Sequence, residues 1–274
     1  MEPLKTKKEL MSAINEVKQF REGYVTNFYH DSKKCDMYIG EGLLHVAGFD
    51  KCCFVFRKDL TFFHLHYFST SLASLAESLK MLTAAYDNAV FVSDIVGDIQ
   101  SVNEAAGSFA QAGFERYATL HRMSATGSLH EPYKNCDAIK YADCSHVGMI
   151  ISLLVDSFDA YSNQLPLISE VNEWVSSNKV LVMLEMDTLK GVLVFEQSGA
   201  TSLLRYLIVH QAHRGKKIGQ SLLERFLLES SGAKRVLLWV DVTNKAALAL
   251  YEKYGFRQDQ MIDQIMIWGL GHEA

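Results

Sequence analysis

The sequence predicts an α/β fold of the mixed α+β kind, in two similar halves, each a central mixed sheet flanked by helices. Three observations carry this expectation. Apolar runs at 203–209 and 236–240 alternate with amphipathic stretches in the order strand, glycine-bearing turn, helix, strand, helix. Within 216–230, Ile218, Leu222, Leu223, Phe226 and Leu227 fall on one face of a 3.6-residue period. A similar order of apolar run, helical pattern, apolar run and Gly-Phe pair occurs between Thr61 and Phe114, which reads as an internal repeat.

Taken in chain order, 61–68 is a strand, 71–86 a helix and 90–94 a strand. Asn103-Glu104-Ala105-Ala106 parallels Asn244-Lys245-Ala246-Ala247, and Gly113-Phe114 parallels Gly255-Phe256. Counting back from the Gly-Phe pairs sets Phe109 opposite Tyr251. The stretch 124–135 is rich in turn formers and reads as a linker, which places domains at 1–130 and 131–274. The second half continues with helices at 145–159 and 167–176 and strands at 180–186, 191–196 and 202–209. Helix 216–230 stops at Gly232. Strand 236–242, helix 244–254 and a last strand near 261–268 complete the half. Strands joined by a crossover helix are expected to lie parallel with a right-handed connection.

Composition narrows the function. The 274 residues are 49% hydrophobic and 22% charged with only 3 Pro, which describes a globular chain of one large or two ordinary domains. A net charge of −5 argues against a general nucleic-acid binder. The apolar run near 147–155 is too short to span a membrane, and the N-terminus lacks the apolar core of a signal peptide, so no membrane partner is expected. Five cysteines, without a Cys-x-x-Cys pair, read as reduced thiols in a cytoplasmic protein.

The turn His213-Arg214-Gly215-Lys216-Lys217-Ile218-Gly219 joins a strand to a helix. Such a turn aims backbone N–H groups and the positive end of a helix dipole at one point, which suits phosphate. Arg214, Lys216 and Lys217 add charge, so the expected ligand carries more than one phosphate. At these residues, and at Asn244, the alanine pair, Tyr251 and Gly255-Phe256, the chain resembles the GNAT superfamily of N-acetyltransferases, which use acetyl-coenzyme A. The family's loop, Gln/Arg-x-x-Gly-x-Gly/Ala, is matched by Arg214 to Gly219 except that Lys217 stands at its usual middle glycine.

The resemblance implies a coenzyme site of Ile208, Val209, Arg214, Gly215, Lys216, Lys217, Ile218, Gly219 and Asn244, with Tyr251 as the general acid beside the coenzyme sulfur. Ile208 and Val209 would act through main-chain groups, and Asn244 would contact the pantetheine arm besides capping its helix. The first half carries Ser69-Thr70-Ser71-Leu72 in place of the loop and Phe109 in place of the phenol, so it reads as a degenerate copy without a coenzyme loop. Tandem GNAT folds with one degenerate copy are known, some using aminoacyl-tRNA; the phosphate loop favours coenzyme A.

Many family members place a glutamate early in the strand that here reads Ser202-Leu203-Leu204-Arg205-Tyr206, and none occurs there. Glu185, Glu196 and Asp241 are candidate substitutes for the base, and His210 titrates in a useful range. His64 and His66 share a strand face at a spacing compatible with metal ligation, but no third ligand is evident and no metal is expected. Cys52 and Cys53 point to opposite faces, and Cys144 has no visible partner base. The segment 159–167 links the helices that flank the acceptor site in the family.

The resulting expectation is an acetyl-coenzyme A-dependent N-acetyltransferase acting on a small-molecule or peptide amine, of unknown oligomeric state. The alternative is an acyl-coenzyme A-binding or sensor protein with weak or no turnover, favoured by the missing glutamate and by Lys217.

Overall fold

The computed structural model describes residues 1–29, 31–126 and 138–270. The chain divides into two units: Met1–Thr119 with Gln260–Ala274, and Leu120–Asp259. The boundary expected near residue 130 lies outside the described residues, and the units do not divide there. Residues 120–126 of the first half belong to the second unit, and residues from 260 onward belong to the first.

Unit 1 runs β1 (Glu2–Pro3), α1 (Lys7–Lys18), β2 (Val25–Thr26), α2 (Ser32–Gly40), β3 (Leu44–Phe49), β4 (Cys52–Lys58), β5 (Phe63–Ser69), α3 (Leu72–Ala85), β6 (Phe91–Asp98), α4 (Ile99–Gln111) and the start of β7 (Glu115–Thr126). Unit 2 takes the rest of β7, then β8 (Ile139–Tyr141), α5 (Val147–Ser157), α6 (Ile168–Ser176), β9 (Val180–Glu185), β10 (Thr188–Ser198), β11 (Thr201–Val209), α7 (Ile218–Glu229), β12 (Arg235–Asp241), α8 (Lys245–Lys253) and the start of β13 (Arg257–Trp268).

The strands of unit 1 are ordered β1-β3-β4-β5-β6-β13, with β2 pairing β5. Those of unit 2 are ordered β7-β12-β11-β10-β9-β8. Each unit has one parallel neighbour pair, β5 with β6 and β11 with β12. In unit 1 the sheet face bearing Phe54, Phe56, Leu65 and Phe91 packs on α3 and α4 through Leu75, Leu79, Leu82, Val102 and Phe109. The opposite face packs Cys53, Val55 and Phe68 on Leu10 and Ile14 of α1. In unit 2, α7 buries Leu222, Leu223 and Phe226 against Leu193, Phe195, Leu204 and Leu238. Across the sheet, α5 and α6 bury Ile150, Leu154 and Val171 against Val180, Val192, Tyr206 and Ile208.

The repeat shows most directly at two helix ends. Gly113 and Gly255 are left-handed, at φ +86° and +81°. Phe114 N–H donates to Phe109 O at 3.1 Å, and Phe256 N–H to Tyr251 O at 3.1 Å, a bond from beyond each glycine back to the last helical turn. Phe109 and Tyr251 therefore hold equivalent positions.

The structure departs from expectation elsewhere. Asn103 lies inside α4, not at its start; Asp98 caps that helix by accepting from Ser101 N–H, whereas Asn244 caps α8. The helix expected at 145–159 is a 3₁₀ turn, Cys144–His146, followed by α5. Ser124, Ala125 and Thr126, read as linker, are strand residues of β7; the remaining linker residues lie outside the described chain. No described helix is long and apolar enough to cross a membrane.

Candidate active site

The site in unit 2 begins with a defect in β11. The pairing of β10 with β11 slips between Val194 and Phe195, because Tyr206 and Leu204 are their partners and Arg205 is left over. This bulge turns the strand over: Leu204 packs on the α7 side, whereas Tyr206 and Ile208 pack on the α5–α6 side. The parallel pairing with β12 covers only Thr201 to Leu204, opposite Arg235 to Leu238. Beyond it the two strands splay.

His210 N–H donates to Lys190 O at 2.9 Å. By the two-residue alternation of a ladder, Ile208 also turns its peptide groups toward β10, opposite Val192, while Leu207 and Val209 turn theirs toward the splay. Ile208, expected to act through main-chain groups, thus turns them to β10, and its side chain packs in the α5–α6 core. Leu207, which apolar patterning could not single out, faces the splay with its main-chain groups as Val209 does.

Eight residues, 210–217, connect β11 to α7. Gln211–His213 form a 3₁₀ turn, Gly215 is left-handed at φ +79°, and Lys217, the N-cap of α7, is left-handed at φ +62°. Lys217 therefore takes the backbone conformation a glycine would provide there, at a cost of about 1 kcal/mol. It makes no side-chain capping bond. The N–H groups of Ile218, Gly219 and Gln220 have no acceptor within the helix. Gly219 lies where three elements meet: a Cβ there would stand 3.5 Å from Val209 Cγ2 and 3.9 Å from Leu250 Cδ2. The end of β11, the start of α7 and α8 are therefore in contact. Because 3.5 Å is ordinary packing distance, alanine would fit as well, in keeping with the Gly/Ala alternation of the motif.

The cations near the loop are organised by His213. Its Nε2 lies 3.1 Å from Lys190 Nζ and its Nδ1 lies 3.5 Å from Lys216 Nζ. Desolvation, then the Lys190 and Lys216 charges, lowers the His213 pKa, which leaves the imidazole able to accept a proton bond from Lys190. Arg214 Nε donates to Val209 O at 3.4 Å, tying the loop to the strand end. Lys190, on β10, is a cation the motif did not mark.

Tyr251 is 5% exposed, on the inner face of α8, with its ring against Phe256 at 5.9 Å. Among the described residues its hydroxyl has no hydrogen-bond partner, and burial pushes its pKa up, so the group stays protonated. Asn244 Oδ1 accepts from Ala247 N–H at 3.1 Å; its amide nitrogen makes no bond to the described residues.

The candidate bases are all engaged. Glu185 pairs with Lys190 at 3.2 Å and Glu196 with Arg205 at 3.5 Å. Asp241 Oδ1 accepts from both Thr243 N–H and Thr243 Oγ at 2.6 Å and so closes the turn into α8. His210 Nδ1 accepts from Ala212 N–H at 3.3 Å as a 3₁₀ cap. The segment 159–167 is held by local bonds of Ser162 and Asn163 to Asp159, and by a short bond from Tyr206 Oη to Gln164 O.

Outside this site, His64 and His66 do share a sheet face of unit 1. His64 Nε2 sits 3.6 Å from Asp59, and burial, then His64 and Arg57, push His66 down to about 3. Among the described residues no group of three or more His, Cys, Asp or Glu could hold a metal. Burial pushes the Cys52 and Cys53 thiols up to about 12, which removes them as nucleophiles.

Residues 176–258 match the family model described as the acetyltransferase (GNAT) domain. A mycothiol acetyltransferase of Corynebacterium efficiens is 34% identical over 86 residues, 30% of this chain and 29% of that protein, so the match spans under a third of the relative. A tandem GNAT protein from the clavulanic acid biosynthesis pathway shares the fold, with a TM-score of 0.58, 13% identity and 97% of each chain covered. So does a GCN5-related N-acetyltransferase of Sphaerobacter thermophilus, with a TM-score of 0.56, 14% identity, and 79% of this chain and 76% of that one covered. Residues 176–258, which include the splayed strands and the uncapped start of α7, thus match the GNAT acetyltransferase domain, in a chain that shares its fold with a tandem GNAT protein.

Proposed function

We propose that the chain is an acetyl-coenzyme A-dependent N-acetyltransferase acting on a small-molecule or peptide amine. The observation that carries this reading is the meeting of three elements at Gly219: the open edge of β11, the uncapped start of α7 and the helix that bears Tyr251. Acetyl-coenzyme A supplies an acetyl group already activated as a thioester. The residues present fit it. The free N–H groups from Ile218 to Gln220, with Arg214 and Lys216, would hold the pyrophosphate, and Lys217 lends charge. Leu207 and Val209 offer main-chain groups to an amide-bearing arm, and Asn244 offers its amide nitrogen.

Two residue actions follow. Tyr251 Oη, protonated and without a partner among the described residues, is a proton donor for a leaving thiolate. The carboxylates that could serve as a base are held in ion pairs or turns, so the chain's main contribution is to hold the two reactants together, and the amine enters already neutral. The free thiols of Cys35, Cys52, Cys53 and Cys144 suit a cytoplasmic setting.

The absence of a free carboxylate on β11 also favours the sensor reading, in which coenzyme binds without turnover. A thiol-release assay across an amine panel, run beside calorimetry with coenzyme A, separates them. Release of thiol that depends on an amine supports the enzyme; binding without release across the panel rejects it.

A further inference from the structure

Unit 1 repeats the parallel, splayed strand pair, but there the chain fills the opening itself. β5 and β6 pair only at Phe63 with Phe91 and at His64 with Val92. Past that point β4 covers one edge of β5, and β2 runs antiparallel on β5, with Val25 opposite Ser69 and Thr26 opposite Phe68. The next residue ties the two strands together. Asn27 Oδ1 accepts from Tyr67 N–H at 2.7 Å, and Nδ2 donates to Asp94 O at 3.0 Å, to Ser93 Oγ at 3.1 Å and to Leu65 O at 3.4 Å. Ser93 Oγ donates in turn to Leu65 O at 2.8 Å, and Thr26 Oγ to Tyr67 O at 2.6 Å. One side-chain amide thus engages main-chain groups on both splayed strands.

An opened sheet leaves N–H and C=O groups unpaired, and those groups must find partners in a ligand, in water or in the chain. In unit 2 no described strand takes the β11 edge beyond Leu204. In unit 1 that edge is taken by a short strand followed by an amide. We propose that residues 25–29 are an internal pseudo-ligand that seals the first splay in the manner of an added peptide strand, so that unit 1 is a closed copy kept in shape by its own segment. A competing ligand would have to displace a tethered group whose effective concentration is set by the short connection to α1. The missing phosphate loop agrees: only Thr70 and Ser71 stand between β5 and α3.

Residue-resolved amide hydrogen exchange on the full chain tests this, with and without saturating coenzyme A. The Tyr67 amide should be protected in the native chain and unchanged by coenzyme A. Asn27→Ala should speed its exchange at least tenfold and leave α7 amides alone, whereas Asn27→Asp, which keeps an acceptor for Tyr67 N–H, should retain most of the protection. A Tyr67 amide that exchanges freely in the native chain, is indifferent to Asn27→Ala, or gains protection from coenzyme A overturns the seal. Should Asn27→Ala fail to fold, the native-chain arms and Asn27→Asp still decide. Coenzyme A that alters exchange in neither unit would count against the activity proposed for unit 2, while the Tyr67 arms would still read the seal.

Discussion

Replacing Tyr251 with phenylalanine removes one oxygen and nothing else the fold uses. The ring keeps its contact with Phe256 at 5.9 Å, the backbone carbonyl keeps the Phe256 N–H bond at 3.1 Å, and the hydroxyl has no partner among the described residues to orphan. Stability should therefore shift by no more than about 0.5 kcal/mol. Coenzyme affinity should hold, because the ring still fills its place. If the phenol donates the proton to the departing thiolate, its loss should lower kcat by roughly 10²–10⁴-fold, or about 2.7–5.4 kcal/mol of barrier. Steady-state thiol release with a reactive amine reads kcat, calorimetry reads coenzyme binding, and a thermal scan reads the fold. A Tyr251→Phe protein with full kcat removes the phenol from the mechanism. A drop in kcat accompanied by a matching loss of folded protein would show that the hydroxyl serves structure instead.

Three further outcomes are expected. Lys216→Ala or Arg214→Ala should weaken coenzyme A binding by about 1–3 kcal/mol in calorimetry, with dephospho-coenzyme A still bound; affinity equal to wild type in both variants would reject the loop assignment. The pH profile of kcat/KM should rise tenfold per pH unit up to the acceptor amine's own pKa, since Glu185, Glu196, Asp241 and His210 are each engaged by a protein partner. Burial raises the Tyr251 pKa, so its protonated, active form persists as pH rises and the falling limb should lie above about pH 10, the ordinary tyrosine value; a plateau near pH 7 would reveal a protein base. Gly191→Ala should destabilise unit 2 by about 1–3 kcal/mol in chemical denaturation, because its Cβ would stand 2.9 Å from Ile208 O and 3.0 Å from Ile218 and Leu222; an unchanged midpoint would mean that α7 sits further from β10.

The features legible in the sequence are those written by neighbouring residues. The α7 face follows from the spacing of Ile218, Leu222, Leu223 and Phe226, and the ends of α4 and α8 from a glycine followed by phenylalanine. Asn244 as a cap follows from its place before Lys245. Asn103 misled because its tetrapeptide resembles the cap of α8, while the helix starts a turn earlier at Asp98.

What only the tertiary structure decided depends on residues far apart in the chain. Met261 pairs with Asp98 and Arg235 with Thr126, so the last strand of each half completes the sheet of the other unit, and no periodicity records that exchange. The bulge at Arg205 exists only relative to β10, yet it sets Leu204 on one face of the sheet and Tyr206 and Ile208 on the other. Glu185, Glu196 and Asp241 look alike as isolated carboxylates; folding gives them different partners, Lys190, Arg205 and Thr243. Asn27 carries no local signal, and its four bonds arise because folding brings Leu65, Tyr67, Ser93 and Asp94 around it. Local patterning thus determined the elements and the glycines and cations of the loop, whereas long-range pairing determined which splay is open.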